Sequence, residues 1–436
     1  MNLLSVREHG KIRVGSADLD QGRAFVSARA ASQLTSLKKQ YGFEVFRFVN
    51  ATTIAAQQYV GVLQTESQTI EVLPKIAGED NQVRRNLVGM LNVALDLEIG
   101  EGEMARVRKQ TQSLLEVLIR LYCDKLSEQL RRGLVRRYEA HEENLAFVRG
   151  RLSIADQTRR NAANPERLYC RFEEFREDNP LNIILKASLR MLLRHSRSSG
   201  NQRLLSELLL AFEGVSDCSI ASLPWSRVRF DRLNERYQPV FRLARMFLHQ
   251  TSPDVTAGNA HGFSLFFDMN VLFEQYIGRM SLPVLRKRGL RGRLQGPRKY
   301  VANDMAEAKP VFAMKPDLVA TEGALAKLIV DTKWKRLSPE ESKEGVAQAD
   351  LYQMYAYAHC YGCTTMLLLY PHDVQLGNEP GVRRRFRLNS AARGTHAGEG
   401  AVLSIATIDL TDLRMVASQL NKLFDMPCSI LLAPAP

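Results

Sequence analysis

A chain of 436 residues is too long for one ordinary hydrophobic core, and its length alone implies about two to four domains. Apolar residues make up 45% and charged residues 25%, a profile that excludes a disordered or membrane-embedded protein. The formal charge of +13, from 60 Lys and Arg against 47 Asp and Glu, makes a polyanion the natural partner. No uninterrupted apolar run reaches ~18 residues, and residues 1–15 mix Arg7, Glu8 and Lys11 among apolar ones, so neither a spanning helix nor a signal peptide is expected.

Six cysteines lie far apart, at positions 123, 170, 218, 360, 363 and 428, which points to a reducing cytoplasm rather than a disulfide scaffold. Cys360 and Cys363 form the one CxxC pair. His359 and His372 would complete a four-ligand metal site on paper. The simpler reading ends a helix at Gly362, just before an apolar strand at 366–370.

In chain order, the first eighty residues read mostly as strands, including 44–49 and a hairpin from 59–63 across 65–67 to 69–73, stopped by Pro74. Helices follow at 83–97 and 113–130. In the second, Leu114, Leu115, Leu118, Ile119, Tyr122, Leu126 and Leu130 share one face, and Gly133 follows as C-cap. Residues 136–151 alternate basic and acidic clusters and read as solvated surface. A short strand begins near Arg167, followed by helices at 180–195, 202–212 and 239–249. Residues 252–262 have the composition of a linker, and 389–400 of a loop.

The chemistry concentrates further on. Residues 312–320 and 325–334 read as strand, turn, strand, with Asp317 on the first and Asp331 and Lys333 on the second. Side chains alternate along a strand, so Asp331 and Lys333 share a face and Thr332 points the other way. An Asp inside the apolar run Leu328-Ile-Val-Asp331 needs a partner to offset its desolvation. A divalent metal held by Asp317 and Asp331 supplies one, with Mg2+ the natural choice for oxygen ligands and phosphate substrates. Lys333 would orient or help deprotonate an attacking water. A simple hairpin register leaves Asp317 and Asp331 several residues out of alignment, so a bend is expected, and Pro316 is its natural place. Upstream, 267–277 reads as a helix with Asp268 as N-cap and Glu274 within reach of the metal. Downstream, Gln353 and Tyr357 lie one turn apart on a helix face. Between Glu274 and Asp317 lie Arg279, Arg286, Lys287, Arg288, Arg291, Arg293, Arg298 and Lys299. No acid interrupts them, which suits phosphate contact, with Arg286, Lys287, Arg288, Arg291 and Arg293 the candidate DNA-binding set.

With these residues in hand, the chain resembles the McrC family, the nuclease partner of the hexameric GTPase McrB in modification-dependent restriction. The resemblance rests on the Phe267–Glu274 stretch and Asp331-Thr-Lys333. It extends to Ile70-Glu-Val-Leu-Pro-Lys-Ile76, Glu142-Glu-Asn-Leu145 with Arg149-Gly-Arg-Leu152, and Asn182 to Lys186. It implies a PD-(D/E)xK centre with Asp317, Asp331 and Lys333 catalytic, Glu274, Gln353 and Tyr357 accessory, and Asp317, Asp331 and Glu274 on the metal. It also implies a McrB-like AAA+ GTPase hexamer and DNA as partners. The sequence has no G-x-x-x-x-G-K-[ST] loop, so the chain is expected to bind no nucleotide itself.

The expected architecture is α+β and multidomain: a β-rich, ring-engaging N-terminal region over 1–150, a helical middle region over 151–260, and an α/β restriction-endonuclease-like domain over 261–436. Two other functions fit the same residues: a stand-alone repair nuclease, or a non-catalytic adaptor of an AAA+ NTPase.

Overall fold

The computed structural model describes residues 2–15, 25–27, 30–32, 34, 38, 42–65, 68–108, 113–250, 263–377, 379–389 and 400–425. The expected linker at 252–262, positions 66 and 67 of the hairpin turn, most of the loop at 389–400, and Cys428 lie outside the described residues. The protein is mixed α/β and gathers into two compact units: residues 1–114 with 265–436, and residues 115–264. The expected division at 260 falls close to the observed one between Ser264 and Leu265, whereas the one expected at 150 has no counterpart. The N-terminal strands do not stand apart but pack with the C-terminal portion, and position 150 falls inside the second unit.

The physical reason lies in the first unit's sheets. Asn2–Arg7 runs parallel to Gln68–Leu73, which pairs antiparallel with Tyr59–Gln64 as the hairpin reading expects. The next neighbour of Tyr59–Gln64 is the strand Phe263–Asp268, from roughly two hundred positions away in the chain. Contact there is close: a Cβ on Gly61, whose φ is +148°, would lie 1.9 Å from the Leu265 carbonyl oxygen, so glycine is required. A second small sheet, of Phe25–Val26, Lys11–Val14, Thr53–Ala56 and Phe46–Asn50, shares its core through Ile12, Ile54, Phe46, Ile70 and Phe266. Trp334 then donates from Nε1 to the buried Glu8 carboxylate at 2.9 Å, tying the first strands to the segment that follows Lys333.

The centre of the first unit is a six-stranded sheet in the order Arg291–Leu294, Leu318–Glu322, Leu325–Thr332, Thr365–Pro371, Val402–Ile408, Gly381–Arg387. Its third, fourth and fifth strands run mutually parallel with mostly apolar, buried residues, as strands covered on both faces must. Helix Gln348–Tyr361 covers one face through Met354, Tyr357 and Tyr361. It ends on Gly362 in the left-handed conformation, as expected, and Cys363 is buried just before the strand. Helix Met269–Lys287 packs beside Arg291–Leu294 on the other face, where Gly278 and Gly292 leave room for Leu294, Leu282 and Leu285. Phe267 belongs to the preceding strand rather than the helix. Asp268 is the N-cap, accepting from the Asn270 amide.

The second unit is less purely helical than expected. Helices Pro180–His195, Ser199–Leu210 and Gln238–Gln250 are present, with Asn179 capping the first and Ser198 the second. Tyr122 is buried with its hydroxyl 2.6 Å from Ser188 Oγ and its ring edge-on to Phe247. Asn182 donates to the Val135 carbonyl and Lys186 pairs with Asp217 at 3.1 Å, so the Asn182 to Lys186 motif is internal bracing. The charged stretch after Arg136, expected as plain surface, contains a nine-residue strand, Arg137–Leu145, antiparallel to Leu168–Arg176. Apolar alternation is nearly absent there because charges pair across the ladder instead: Arg171 lies directly opposite Glu142, with Nε–Oε1 at 2.9 Å.

Candidate carboxylate–lysine site

Two departures from a simple hairpin assemble the site. First, the stretch expected as one strand, 312–320, is two. Pro310–Met314 pairs away with Lys299–Asn303, and a new strand begins at Leu318, so the chain turns at Lys315-Pro316-Asp317. The bend at Pro316 is where the sequence placed it. Second, the expected misalignment of the two acids does not occur. The strands continue through Thr321 and Glu322 to a two-residue turn at Gly323, with a bulge between Ala320 and Thr321. Leu318 pairs with Val330, so one residue further Asp317 falls beside Asp331.

Asp331 sits at the C-terminal end of a parallel strand, buried to 2% exposure. In open α/β sheets that end is where ligands bind. Lys333 Nζ lies 2.8 Å from Asp331 Oδ2, consistent with both side chains on one face. The ammonium also donates to Gln353 Oε1 at 2.9 Å, and Gln353 Nε2 donates to the Tyr357 hydroxyl at 2.7 Å. Asp331, Lys333, Gln353 and Tyr357 therefore form one file, joined by an ion pair at its first step and by hydrogen bonds at the next two. Asp317 is fixed from the other side of the strand: Oδ2 accepts from both the amide and the hydroxyl of Thr332, each at 2.7 Å. Glu274 and Asp317 line an open cleft of about 450 Å3 together with Arg279, Leu294 and Gln295.

Three further residues belong to this site that the sequence pattern does not single out. Asp350 is buried and lies 3.6 Å from Lys333 Nζ and 3.4 Å from Lys335 Nζ. Its position three residues before Gln353 on the same helix is the available signal. Gln295 donates to Glu274 Oε1 at 2.9 Å while its amide donates to the Asp317 carbonyl at 2.8 Å. Thr332, expected only to face away, is what holds Asp317.

Electrostatics follow from this crowding. Burial, then the nearby charges of Asp331 and Glu274, push the Asp317 carboxyl up to about 7, against the lowering pull of Thr332. Burial also raises Asp331, opposed by Lys333. For Lys333, burial is outweighed by Asp331, Asp350 and Asp317, which hold its ammonium above the ordinary value. Among the described residues no three or more His, Cys, Asp or Glu side chains stand in a metal-site arrangement, which includes His359, Cys360, Cys363 and His372. His372 is instead hydrogen-bonded to Thr407 and Gly377. The Asp317, Asp331 and Glu274 carboxylates nonetheless fit a hard cation in chemistry: all are oxygen donors, and their mutual repulsion is relieved by a positive charge.

A pH prediction follows for protein kept in chelator. Folded Asp317 retains a proton that the unfolded chain, with an ordinary value of 3.8, has already released. Its contribution is therefore fully present below about pH 4 and is lost as pH rises through about 7. Urea denaturation should show stability declining by on the order of 4 kcal/mol across that window, and Asp317→Asn should flatten the decline. An unchanged profile in the variant would remove Asp317 as its source.

Within the candidate DNA-binding set the structure separates two kinds of residue. Arg286, Lys287, Arg291 and Arg293 stand at least partly open to solvent, the last two alternating on the edge strand of the six-stranded sheet. Arg288 is already engaged, with Nη2 2.6 Å from Asp425 and hydrogen bonds to Asn421. Lys299 donates to the Cys360 carbonyl.

A sheet that brings a buried carboxylate, a half-buried one and a paired lysine to one strand end defines an α/β protein with an acid–lysine centre. The family model of the McrBC 5-methylcytosine restriction system component matches residues 54–371, and the chain belongs to that family. Among solved structures, it is similar to the refined half-complex from a tetradecameric assembly of Thermococcus gammatolerans McrB AAA+ hexamers with bound McrC. That match has a TM-score of 0.72 and 22% identity, over 97% of this chain and 99% of that one. A second similar structure is the cryo-EM structure of the Thermococcus gammatolerans McrBC complex, with a TM-score of 0.52 and 27% identity over 65% of this chain and 88% of that one. A search of the curated proteins found no match.

Proposed function

We propose that this chain is the nuclease subunit of a modification-dependent restriction complex, cutting DNA in a Mg2+-dependent, PD-(D/E)xK-type centre while docked on a McrB-like AAA+ GTPase ring. The observation that carries it is the juxtaposition of Asp317 and Asp331 with Lys333 held at 2.8 Å from Asp331. Asp317, Asp331 and Glu274 would hold the cation. When bound, it supplies Lewis-acid stabilisation of a phosphate and lowers the pKa of water. Lys333, kept charged by its carboxylate neighbours, orients a water or stabilises negative charge on a phosphate oxygen. Gln353 and Tyr357 fix its direction, and Gln295 fixes Glu274. Arg279, in the same cleft, is positioned for the DNA backbone.

Partnership with a ring is supported by the similarity to McrC bound to McrB hexamers. We assign ring engagement to residues 1–150, where the section from Arg136 to Arg151 is largely exposed. Free thiols at all five described cysteines are compatible with a cytoplasmic setting, which the proposal includes. No described helix is long and apolar enough to cross a membrane.

The experiment mixes the full chain with its cognate ring. Alone, the chain should hydrolyse no nucleotide and cut DNA weakly. Together, ring turnover should rise, by up to ~10³ if a cation is supplied in trans to the phosphates, and modified DNA should be cut. Efficient cutting without the ring would favour the stand-alone repair nuclease. Stimulation with no cutting under any divalent cation would favour the adaptor.

The solvent-facing basic residues have a separate test. Arg286→Glu, Lys287→Glu, Arg291→Glu and Arg293→Glu should each weaken duplex binding and lower the log–log salt slope by about 0.9 for every phosphate no longer neutralised. Arg288→Glu should act mainly on stability, through Asp425 and Asn421. Equal slopes in all five variants would return the run to ordinary surface.

A further inference from the structure

We propose that the two-stranded ribbon Lys299–Asn303 and Pro310–Met314 is a DNA-contacting arm, with Phe312, Val301 and Met305 seated against the duplex grooves and Arg298 and Lys315 on its phosphates. The proposal rests on the nuclease reading above and names how the substrate is held beside that site. The ribbon lies outside the six-stranded sheet and forms a sheet of its own. At five residues per strand it is long enough to extend roughly 17 Å. Its base is anchored: Met314 is buried in the core, Lys299 Nζ donates to the Cys360 carbonyl and sits over the Tyr361 ring, and the Tyr361 hydroxyl donates to the Pro297 carbonyl. Beyond that base the usual polarity of a solvated ribbon is reversed. Val301 and Phe312 lie between the pairs Tyr300–Ala313 and Ala302–Val311, and they are 54% and 75% exposed. Met305, at the turn, is 98% exposed.

Three features favour DNA as the occupant. Phe312 adopts a φ of +58°, a conformation that a bulky side chain rarely takes and that persists mostly where a site requires it. The flanks are basic: Arg298 and Lys315 are exposed, and Arg291 and Arg293 stand on the neighbouring edge strand. The ribbon also feeds directly into the centre, since Lys315 and Pro316 alone separate its last residue from Asp317. The ribbon itself is neutral, with Asp304 and Glu307 at its turn and Lys309 paired to Glu307 at 3.0 Å, so the positive charge lies on its flanks. Exposed apolar residues between basic flanks, beside a phosphodiester-cleaving site, match the way wedge residues and β-ribbons enter DNA grooves.

The test uses full-length protein and a fluorescent duplex in Ca2+, with cleavage scored separately in Mg2+. Phe312→Asn keeps a residue that tolerates the left-handed backbone, and Met305→Ser changes only the exposed turn. Together they should weaken duplex binding roughly tenfold with the salt slope unchanged, because apolar contacts release no counterions. Lys315→Ala should instead lower the slope by about 0.9. A photo-crosslinking benzophenone side chain at position 312 should attach to the duplex. Unchanged affinity with no crosslink overturns the proposal. So does loss of ring co-elution at unchanged duplex affinity, which makes the ring the occupant. Because binding and crosslinking are read without cleavage, failure of the ribbon is distinguishable from failure of the nuclease reading, which the Asp331 variant decides.

Discussion

Asp331→Ala is expected to reduce DNA cleavage by the ring complex at least about 10²–10³-fold, the range forfeited when one preorganised charge-stabilising group is removed from a reaction centre. Lys333→Ala should do the same. Their effects on folding should diverge, and that divergence separates a catalytic role from a structural one. Removing Asp331 takes a carboxylate out of a crowded group: Lys333 keeps Asp350, and Asp317 is freed of a neighbour that raises its pKa. The Asp331→Ala protein should therefore be no less stable in chelator, and its Asp317-dependent pH decline should be smaller and end at lower pH. Removing Lys333 strips a buried carboxylate of its ion pair, so Lys333→Ala should unfold earlier in urea as well as failing to cut. Both proteins should still co-elute with the ring. Cutting retained by Asp331→Ala ends the assignment of this centre. Loss of cutting accompanied by loss of assembly in both variants makes their role structural.

The local chemistry is legible in the sequence. Alternation along a strand is enough to put Asp331 with Lys333, and helical spacing is enough to put Gln353 with Tyr357, because each relation is set within a few residues. Pro316 marks the bend for the same reason. The register between Asp317 and Asp331 is not legible, because it depends on a bulge at Ala320 and on how far Thr321 and Glu322 stay paired, neither of which a residue pattern specifies. Strand Arg137–Leu145 escapes notice because its ladder is stabilised by charge pairs such as Arg171–Glu142, so it lacks the apolar alternation that marks a half-buried strand. The division into units is equally hidden, since it turns on approaches such as Gly61 against Leu265 and Glu8 against Trp334, between residues more than two hundred positions apart.

The stretch Ile70-Glu-Val-Leu-Pro-Lys-Ile76 helps carry the family resemblance and holds no catalytic residue, which raises the question of what it does. Glu71 answers much of it. Its carboxylate is fully buried and receives Arg84 Nε at 3.0 Å, the Leu114 amide at 2.6 Å and Ser5 Oγ at 3.2 Å. One side chain thus joins strand Asn2–Arg7, strand Gln68–Leu73, helix Asp80–Ala94 and the first residue of helix Leu114–Leu130. Arg84 is itself almost wholly buried and also donates to Asn81. Arg84→Met should therefore cost about 3–5 kcal/mol in urea denaturation at pH 7, the penalty of leaving one member of a buried pair without the other. Glu71→Gln should cost less, since an amide oxygen still accepts from Leu114 while its nitrogen opposes Arg84. The double variant Arg84→Met with Glu71→Met should be milder than the sum of the two single methionine variants, because two apolar side chains leave no stranded charge between them. Strict additivity, or a loss below about 1 kcal/mol for Arg84→Met, would mean the pair is incidental, since exposed ion pairs are worth no more than that. A loss near the upper figure would mean that the packing of strands Asn2–Arg7 and Gln68–Leu73 against helix Asp80–Ala94 depends on this segment.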